Sequence, residues 1–302
     1  MRVDGIRTAV LIPCLDEEST IGDVVAGFQV ALPNAAIHVY DNGSTDRTAE
    51  IAAVAGAHVA TEPLRGKGRV LRRMLADVEA DVYVLVDGDG TYDPAESPAM
   101  IKRLVDDGLD MVVGSRTPPP ARLGHQAGNR MFNVLYRWLF GSMFTDILSG
   151  YRALSRRFVR SLPSAAKGFE TETEMSVHAS QLCLPAAEIP VSYRSRPPGS
   201  ASKLRTVRDG WKILKAMASL LVDNRPMFLF GWLGTALAFG ALFLGLPVVV
   251  DFAQTGLVER LPTAVVATGM TLASALSLVL GAVLDAIAKS RIEAKRLAYL
   301  NT

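Results

Sequence analysis

The chain has 302 residues, and 49% of them are hydrophobic, which together with a positive mean hydropathy is high for a soluble enzyme and points to a part made for lipid. Thirty-two Lys and Arg against 30 Asp and Glu leave a net charge of +2, so no global basic field argues for nucleic acid. Two distant cysteines, Cys14 and Cys183, and four scattered histidines fit neither a disulfide framework nor a zinc site.

The N-terminal residues carry charges throughout and lack a basic start followed by an apolar core. No signal peptide is expected, and the N-terminal domain is expected to stay in the cytoplasm. Short β-branched runs then alternate with amphipathic stretches, which predicts strands over 8–12, 37–40, 58–61, 82–86 and 111–113. Helices fit between them at about 21–31, 46–55, 68–76 and 95–106. The alternation is that of an α/β domain with a mostly parallel, Rossmann-like sheet, whose ligands bind beyond the carboxyl ends of the strands.

The polar residues after each strand are therefore the candidates. Asp16, in Pro13-Cys14-Leu15-Asp16-Glu17-Glu18, and Asp46, in Asp41-Asn42-Gly43-Ser44-Thr45-Asp46, suit helix capping as well as ligand contact. Asp41 ends its strand several residues before the helix and suits a ribose or a base edge. The apolar run 82–86 leads straight into Asp87-Gly88-Asp89-Gly90-Thr91-Tyr92. Two carboxylates presented together repel unless a cation lies between them, and such hard oxygens suit magnesium or manganese on a diphosphate. The plainer alternative is an acidic turn.

Residues 128–144 read as an amphipathic helix, with Arg130, Asn133 and Arg137 interrupting an apolar face of Met131, Leu135, Trp138 and Leu139. Residues 204–221 are similar, with Trp211 and leucines set against Arg205, Arg208, Lys212 and Lys215. Each helix suits a membrane interface, or a cover for the sheet or a neighbouring subunit. No charge occurs over 226–250 or over 261–284, and basic residues flank both stretches, among them Arg225 before and Lys289, Arg291, Lys295 and Arg296 after. This predicts a transmembrane hairpin with both termini in the cytoplasm. The expected organisation is a catalytic domain over 1–203 and a juxtamembrane helix over 204–225. A hairpin over 226–288, with spans at about 226–250 and 262–285, and a basic tail over 289–302 complete it.

The ordered set of Ile12-Pro13 with Asp16-Glu17-Glu18, the loop 41–46, Gly66-Lys67-Gly68 and Asp87-Gly88-Asp89 resembles glycosyltransferase family 2. Farther along, Gly114-Ser115-Arg116, Asp146 with Ser149-Gly150-Tyr151-Arg152, Glu172 to Met175, and Arg196 with Gly199 and Ser202-Lys203 resemble its dolichyl-phosphate-mannose synthase and polyprenyl-phosphate glycosyltransferase branch. The likeness covers about 8–225, and the hairpin extends it.

The resemblance implies a GT-A fold, a nucleotide-diphospho-sugar donor, a divalent metal, Mg2+ or Mn2+, and inversion at the anomeric carbon. Pro13, Leu15, Glu17 and Asp41 would cradle the base and ribose, with Lys67 near the nucleotide. Asp87, Gly88 and Asp89 would meet the diphosphate, and Asp87 and Asp89 would hold the metal, with Thr91 a further candidate ligand. The chain departs from the family pattern at Asp16, where asparagine is usual, and at Asn42, where aspartate is frequent.

A phosphate monoester acceptor is already ionised at neutral pH and needs no strong base. It needs cations that hold it in line with the sugar. Arg116, Arg130, Arg196 and Lys203, in motif-bearing loops, are the candidates, with Arg116 also catalytic; Arg152 suits instead a fold-stabilising pair with Asp146 or a nearby carboxylate. The expected reaction moves a hexose or N-acetylhexosamine, from a UDP-sugar in preference to GDP-mannose, to a polyprenyl or dolichyl phosphate at the cytoplasmic membrane face. A membrane polysaccharide synthase and a noncatalytic scaffold are the alternatives. The first usually carries a Gln-x-x-Arg-Trp element, and Arg137-Trp138 lacks its glutamine. Twenty-four Arg against 8 Lys hint at a GC-rich bacterial genome and hence a plasma-membrane polyprenyl carrier. A homo-oligomer is one option, since relatives often form them.

Overall fold

The computed structural model describes residues 5–117, 123–162, 171–194, 219, 221–223 and 225–301, excluding the side chains of 123–129. Arg196, Lys203 and most of the stretch 204–221 lie outside the described residues. The chain divides into two compact units, one formed by Met1–Trp211 with Lys295–Thr302 and the other by Lys212–Ala294.

The first unit is built on a seven-stranded sheet of order β3-β2-β1-β4-β6-β5-β7. Its strands are β1 (Thr8–Cys14), β2 (Ala36–Asp41), β3 (His58–Thr61), β4 (Val82–Leu85), β5 (Met111–Thr117), β6 (Arg152–Ser155) and β7 (Ala186–Ser192). All neighbouring pairs are parallel except those of β6, which runs antiparallel to both β4 and β5. Helices α1 (Ile21–Ala31), α2 (Thr48–Val54), α3 (Lys67–Asp77) and α4 (Ser97–Asp106) supply the crossovers. α5 (Leu123–Phe140), α6 (Arg156–Ser161) and α7 (Thr171–Leu182) follow. This is the α/β arrangement expected from the alternating pattern.

Helix packing covers the central strands and explains their composition. α1 buries Ile21, Val24, Val25 and Phe28, the i, i+3, i+4, i+7 stripe of a helix lying on a sheet. Every residue of β4 is buried, which is why its sequence is apolar without alternation. β1 extends two residues beyond the predicted end and takes Pro13 into the ladder opposite Tyr40. The β1–β4 pairing stops at Leu11–Leu85, so only one neighbour remains at Pro13 and its missing N–H is tolerated.

Two strands, β6 and β7, lie outside the sequence expectation. β6 is only four residues long and begins with a buried arginine, and β7 is an edge strand carrying Glu188 and Pro190. The predicted start of the second helix also moves, from residue 46 to Thr48, because Asp46 accepts hydrogen bonds from the Thr48 amide at 3.0 Å and hydroxyl at 2.5 Å. Asp46 therefore stands one residue before the N-cap, Arg47, and holds the first helical residue from outside the helix. The helix expected over 128–144 starts earlier and stops at Phe140.

The second unit is a helical hairpin of α8 (Pro226–Thr255) and α9 (Leu261–Leu300), the last residues of α9 belonging to the first unit. Both helices are long and apolar enough to cross a membrane, with windows of mean hydropathy 2.2 and 1.9. Beyond the first residue of α8, its buried positions Gly234, Ala241 and Val248 recur every seven residues, as do Ala267, Ser274, Gly281 and Ala288 on α9. This is the spacing of a shallow coiled-coil seam, made here of small residues that let two helices approach closely. Ser274 Oγ donates to the Gly234 carbonyl at 2.7 Å across that seam. α9 does not end near residue 285; good helix formers and the Asp285–Lys289 ion pair at 2.9 Å continue it to Leu300.

Candidate active site

Between β1 and β4 the strand order reverses, and the loops that leave these two strands lie side by side at the carboxyl rim. The loop after β4 carries Asp87-Gly88-Asp89. A Cβ added at Gly88 would lie 2.6 Å from Cys14 Sγ, so only glycine lets this loop rest on the end of β1. Thr20 Oγ1 donates to the Gly88 carbonyl at 2.7 Å and holds it there. The two flanking carboxylates are thereby presented by backbone that cannot shift freely.

Each of those carboxylates has defined partners. Asp87 Oδ1 accepts from Lys67 Nζ at 2.5 Å, and its Oδ2 lies against Gly150, where an added Cβ would come within 2.4 Å. Asp89 is buried, and its Oδ1 accepts from the Thr91 amide at 3.1 Å and the Thr91 hydroxyl at 2.6 Å. Thr91 therefore touches Asp89 directly, with its hydroxyl proton committed to that oxygen. Among the described residues no three His, Cys, Asp or Glu form a ready metal cage. Two hard carboxylates without such a cage fit a divalent ion that shares its coordination with ligand phosphates.

On the other side of the rim, the loops after β1, β2 and β3 are sewn together. Asp16, at φ +49°, accepts from the Thr45 amide at 2.7 Å and so ties the first loop to the second rather than capping α1. Asp41 is buried and receives the amides of Gly43 and Ser44 at 3.1 Å each. The Glu17 amide donates to Thr48 Oγ1 at 2.8 Å, and Glu17 is buried, while Pro13 and Leu15 are half-buried beside it. Asn42 donates to the carbonyls of Glu62 at 2.8 Å and Leu64 at 3.0 Å, and accepts from the Gly66 amide at 2.6 Å. An aspartate could make only the last of these bonds, which accounts physically for the amide at this position.

That Asn42 anchor fixes the turn from which Lys67 starts α3. Lys67 Nζ bridges Asp87 Oδ1 and Glu172 Oε1, both at 2.5 Å. Burial alone would lower the Lys67 pKa, but the two carboxylates override it and hold the ammonium charged, well above its ordinary range. Glu172, on α7, joins the site through this contact, although in the sequence it stands out only as part of the stretch Glu172 to Met175. Its signal was position alone, because nothing in spacing links it to Lys67.

Arg116, one residue before the end of β5, lies on the same rim as Asp87, since β5 and β4 both run antiparallel to β6. Its Nε and Nη2 donate to Asp146 Oδ2 at 2.8 Å and Oδ1 at 2.7 Å, and its guanidinium lies 5.5 Å from the centre of the Tyr193 ring. Asp146 is oriented in turn by Glu188, which accepts from the Asp146 amide at 3.0 Å and the Thr145 amide at 2.9 Å. Burial would raise the Asp146 pKa, yet the Arg116 guanidinium holds it below the usual carboxylate range. Tyr193 also meets Tyr92, whose hydroxyl accepts from the Gly150 amide at 3.0 Å, so Arg116 and Asp87 border one cluster. Arg130 stands exposed on α5, apart from these contacts.

Arg152 behaves differently from the pairing considered for it. It is fully buried and donates to the carbonyls of Ser149 at 3.0 Å and Ile147 at 2.8 Å and to Ser176 Oγ at 3.0 Å. Among the described residues none of its hydrogen bonds goes to a carboxylate. It shapes the loop that brings Gly150 to Asp87, and Asp146 goes to Arg116.

The model of the family described as "Glycosyl transferase family 2" matches residues 9–159. The chain is 35% identical over 248 residues to the Haloferax volcanii glycosyltransferase AglJ, covering 80% of this chain and 81% of that protein. It is 30% identical over 221 residues to a Haloferax volcanii dolichyl-phosphate hexose transferase, covering 72% and 95%. Among solved structures, Mycobacterium tuberculosis glucosyl-3-phosphoglycerate synthase in complex with Mn2+, uridine diphosphate and glucosyl-3-phosphoglycerate superposes with a TM-score of 0.58 at 25% identity, covering 72% of this chain and 78% of that one. The same enzyme with Mg2+ and uridine diphosphate superposes with a TM-score of 0.57, at the same identity and coverage.

Proposed function

Because the chain belongs to glycosyltransferase family 2, we propose that it transfers a hexose or N-acetylhexosamine, with inversion, from a nucleotide-diphospho-sugar to a polyprenyl or dolichyl phosphate. A UDP-sugar is the preferred donor. The observation that carries this reading is the placing of two opposite charges on one rim: the carboxylates of Asp87 and Asp89 beyond β4 and the guanidinium of Arg116 at the end of β5. Transfer to a phosphate requires both, a site that neutralises the departing diphosphate and a cation that aims the entering anion.

Asp87 and Asp89 would hold Mg2+ or Mn2+, with Thr91 beside them, and the ion would supply charge neutralisation on the leaving group. Support comes from the Mn2+ and Mg2+ complexes of the structurally similar synthase with uridine diphosphate. Pro13, Leu15, Glu17 and Asp41 line the nucleotide side, with Lys67 and Gly88 toward the diphosphate. Arg116 pairs with Asp146 through Nε and Nη2, which leaves its Nη1 edge for a phosphate oxygen. Arg130, Arg196 and Lys203 complete the proposed acceptor side.

A lipid acceptor is supported by the dolichyl-phosphate hexose transferase relative and by the two apolar helices α8 and α9. Basic residues flank the hairpin at both ends, so the catalytic domain over 1–203 and the tail over 289–302 would face the cytoplasm. Incubating the full chain with labelled UDP- and GDP-sugars, polyprenyl phosphate and Mg2+ or Mn2+, then extracting lipid, tests the reading. Label in the lipid phase supports it. Label found instead only on a soluble phosphorylated acceptor such as 3-phosphoglycerate would contradict it.

A further inference from the structure

Lys67 stands where a metal-binding site would be expected to show carboxylate oxygens. Its Nζ is 2.5 Å from Asp87 Oδ1 and 2.5 Å from Glu172 Oε1, and its side chain is only 14% exposed. Asp87 Oδ2 lies on the Gly150 side, and Oδ1 is the oxygen that Lys67 holds. Glu172 is 4% exposed, and its second oxygen, Oε2, is buried with no hydrogen-bond partner among the described residues. Lys67 is thus held between two carboxylates, one of them nearly enclosed by the protein.

We propose that Lys67 is the resting counter-cation of this site, neutralising Asp87 and Glu172 together until a divalent ion arrives with the donor's diphosphate, when it gives up Asp87 and keeps Glu172. The proposal rests on the assignment of Asp87 and Asp89 as metal ligands. An ion approaching Asp87 by itself meets an ammonium on the same carboxylate, and two cations within a few ångströms repel where the side chains are only partly solvated, at 14% and 29% exposure. A diphosphate changes the balance, because it supplies two negative charges to which the released ammonium can turn. Glu172 is the tether that keeps Lys67 from swinging away. Metal and nucleotide then bind as cooperating ligands, each weak without the other, and the same coupling operates in both directions.

The test is the binding of Mn2+ to the full chain in detergent, read from the paramagnetic resonance of the free ion, with and without uridine diphosphate. In the unmodified protein, nucleotide should tighten Mn2+ binding by roughly tenfold or more, the range of a strong coupling. Lys67→Met should bind Mn2+ alone several-fold more tightly than the unmodified protein, with the tightening by nucleotide reduced to a small factor. The charge-balanced Lys67→Met/Glu172→Gln variant should do the same and guards against misfolding from two unpaired buried acids. Unchanged or weaker Mn2+ binding alone in both variants, with the nucleotide effect intact, would overturn the exchange while leaving Asp87 and Asp89 as metal ligands. No Mn2+ binding by the unmodified protein even with nucleotide would remove the metal assignment and the exchange with it.

Discussion

Arg116 and Asp146 face each other through two parallel hydrogen bonds of 2.8 and 2.7 Å, a forked pair that fixes the guanidinium plane before any phosphate arrives. Both side chains are largely buried, at 11% and 15% exposure. Arg116→Ala should therefore destabilise the protein by about 3 kcal/mol, the usual cost of stranding one member of a buried pair. It should also raise the KM for the lipid phosphate while leaving nucleotide affinity within a few-fold. Arg116→Ala/Asp146→Asn should regain much of the stability, seen in thermal unfolding, and none of the acceptor affinity. Recovery of acceptor affinity in the double variant would show that Arg116 only supports the fold.

Asn42→Asp tests whether the amide is needed to join the loops. The variant loses the bonds donated to the carbonyls of Glu62 and Leu64 and sets a carboxylate against them in a buried place. It should cost about 2–3 kcal/mol in unfolding experiments. Because the same residue fixes the turn before Lys67, the KM for the donor should rise as well.

His178 supplies a pH dependence. Burial, and secondarily the nearby charge of Lys295, lowers its pKa from 6.5 to about 3, and its ring packs edge-on to Phe158 with Nε2 2.9 Å from Ser161 Oγ. The folded protein therefore keeps His178 neutral where the unfolded chain protonates it. The stabilisation is complete above pH 6.5 and is lost as pH falls toward 3, with a slope of at most about 1.4 kcal/mol per pH unit. Thermal unfolding of His178→Gln should depend less steeply on pH between 6 and 4 than that of the unmodified chain. Identical slopes would refute the assignment.

Tyr299, near the end of α9, donates to Asp110 Oδ2 at 2.7 Å, and Asp110 is fully buried immediately before β5. Ser155 Oγ donates to its Oδ1 at 2.6 Å, and Arg157 lies 3.2 Å from the same oxygen. Removing the hydroxyl in Tyr299→Phe should lower stability by about 1–2 kcal/mol. Limited proteolysis should also find the C-terminal residues more accessible in that variant. No change in either measurement would mean that the C-terminal turn does not contribute to the fold of the first unit.

The acidic strand end was legible in the sequence because an uninterrupted apolar run, 82–86, leads into Asp87-Gly88-Asp89, and a strand buried on both faces has no other way to be written. The hairpin was legible for a similar reason, since two charge-free stretches of that length have few alternatives. β6 was hidden because Arg152, a residue ordinarily assigned to the surface, is wholly buried in it and satisfied by main-chain carbonyls that no local pattern reveals. The partners of Lys67 and Arg116 were hidden too. Glu172 and Asp146 are distant in the chain, and periodicity reports which face a residue occupies, not which residue from another element meets it.

The most direct test of the central claim is metal-dependent transfer by Asp89→Asn, which keeps an oxygen to accept from Thr91 and removes only the charge. With labelled donor, polyprenyl phosphate and Mn2+, and with folding verified by an unchanged melting profile, the variant should lose at least about a hundredfold in labelled lipid. Turnover equal to that of the unmodified chain, in the presence or absence of Mn2+, would contradict the account.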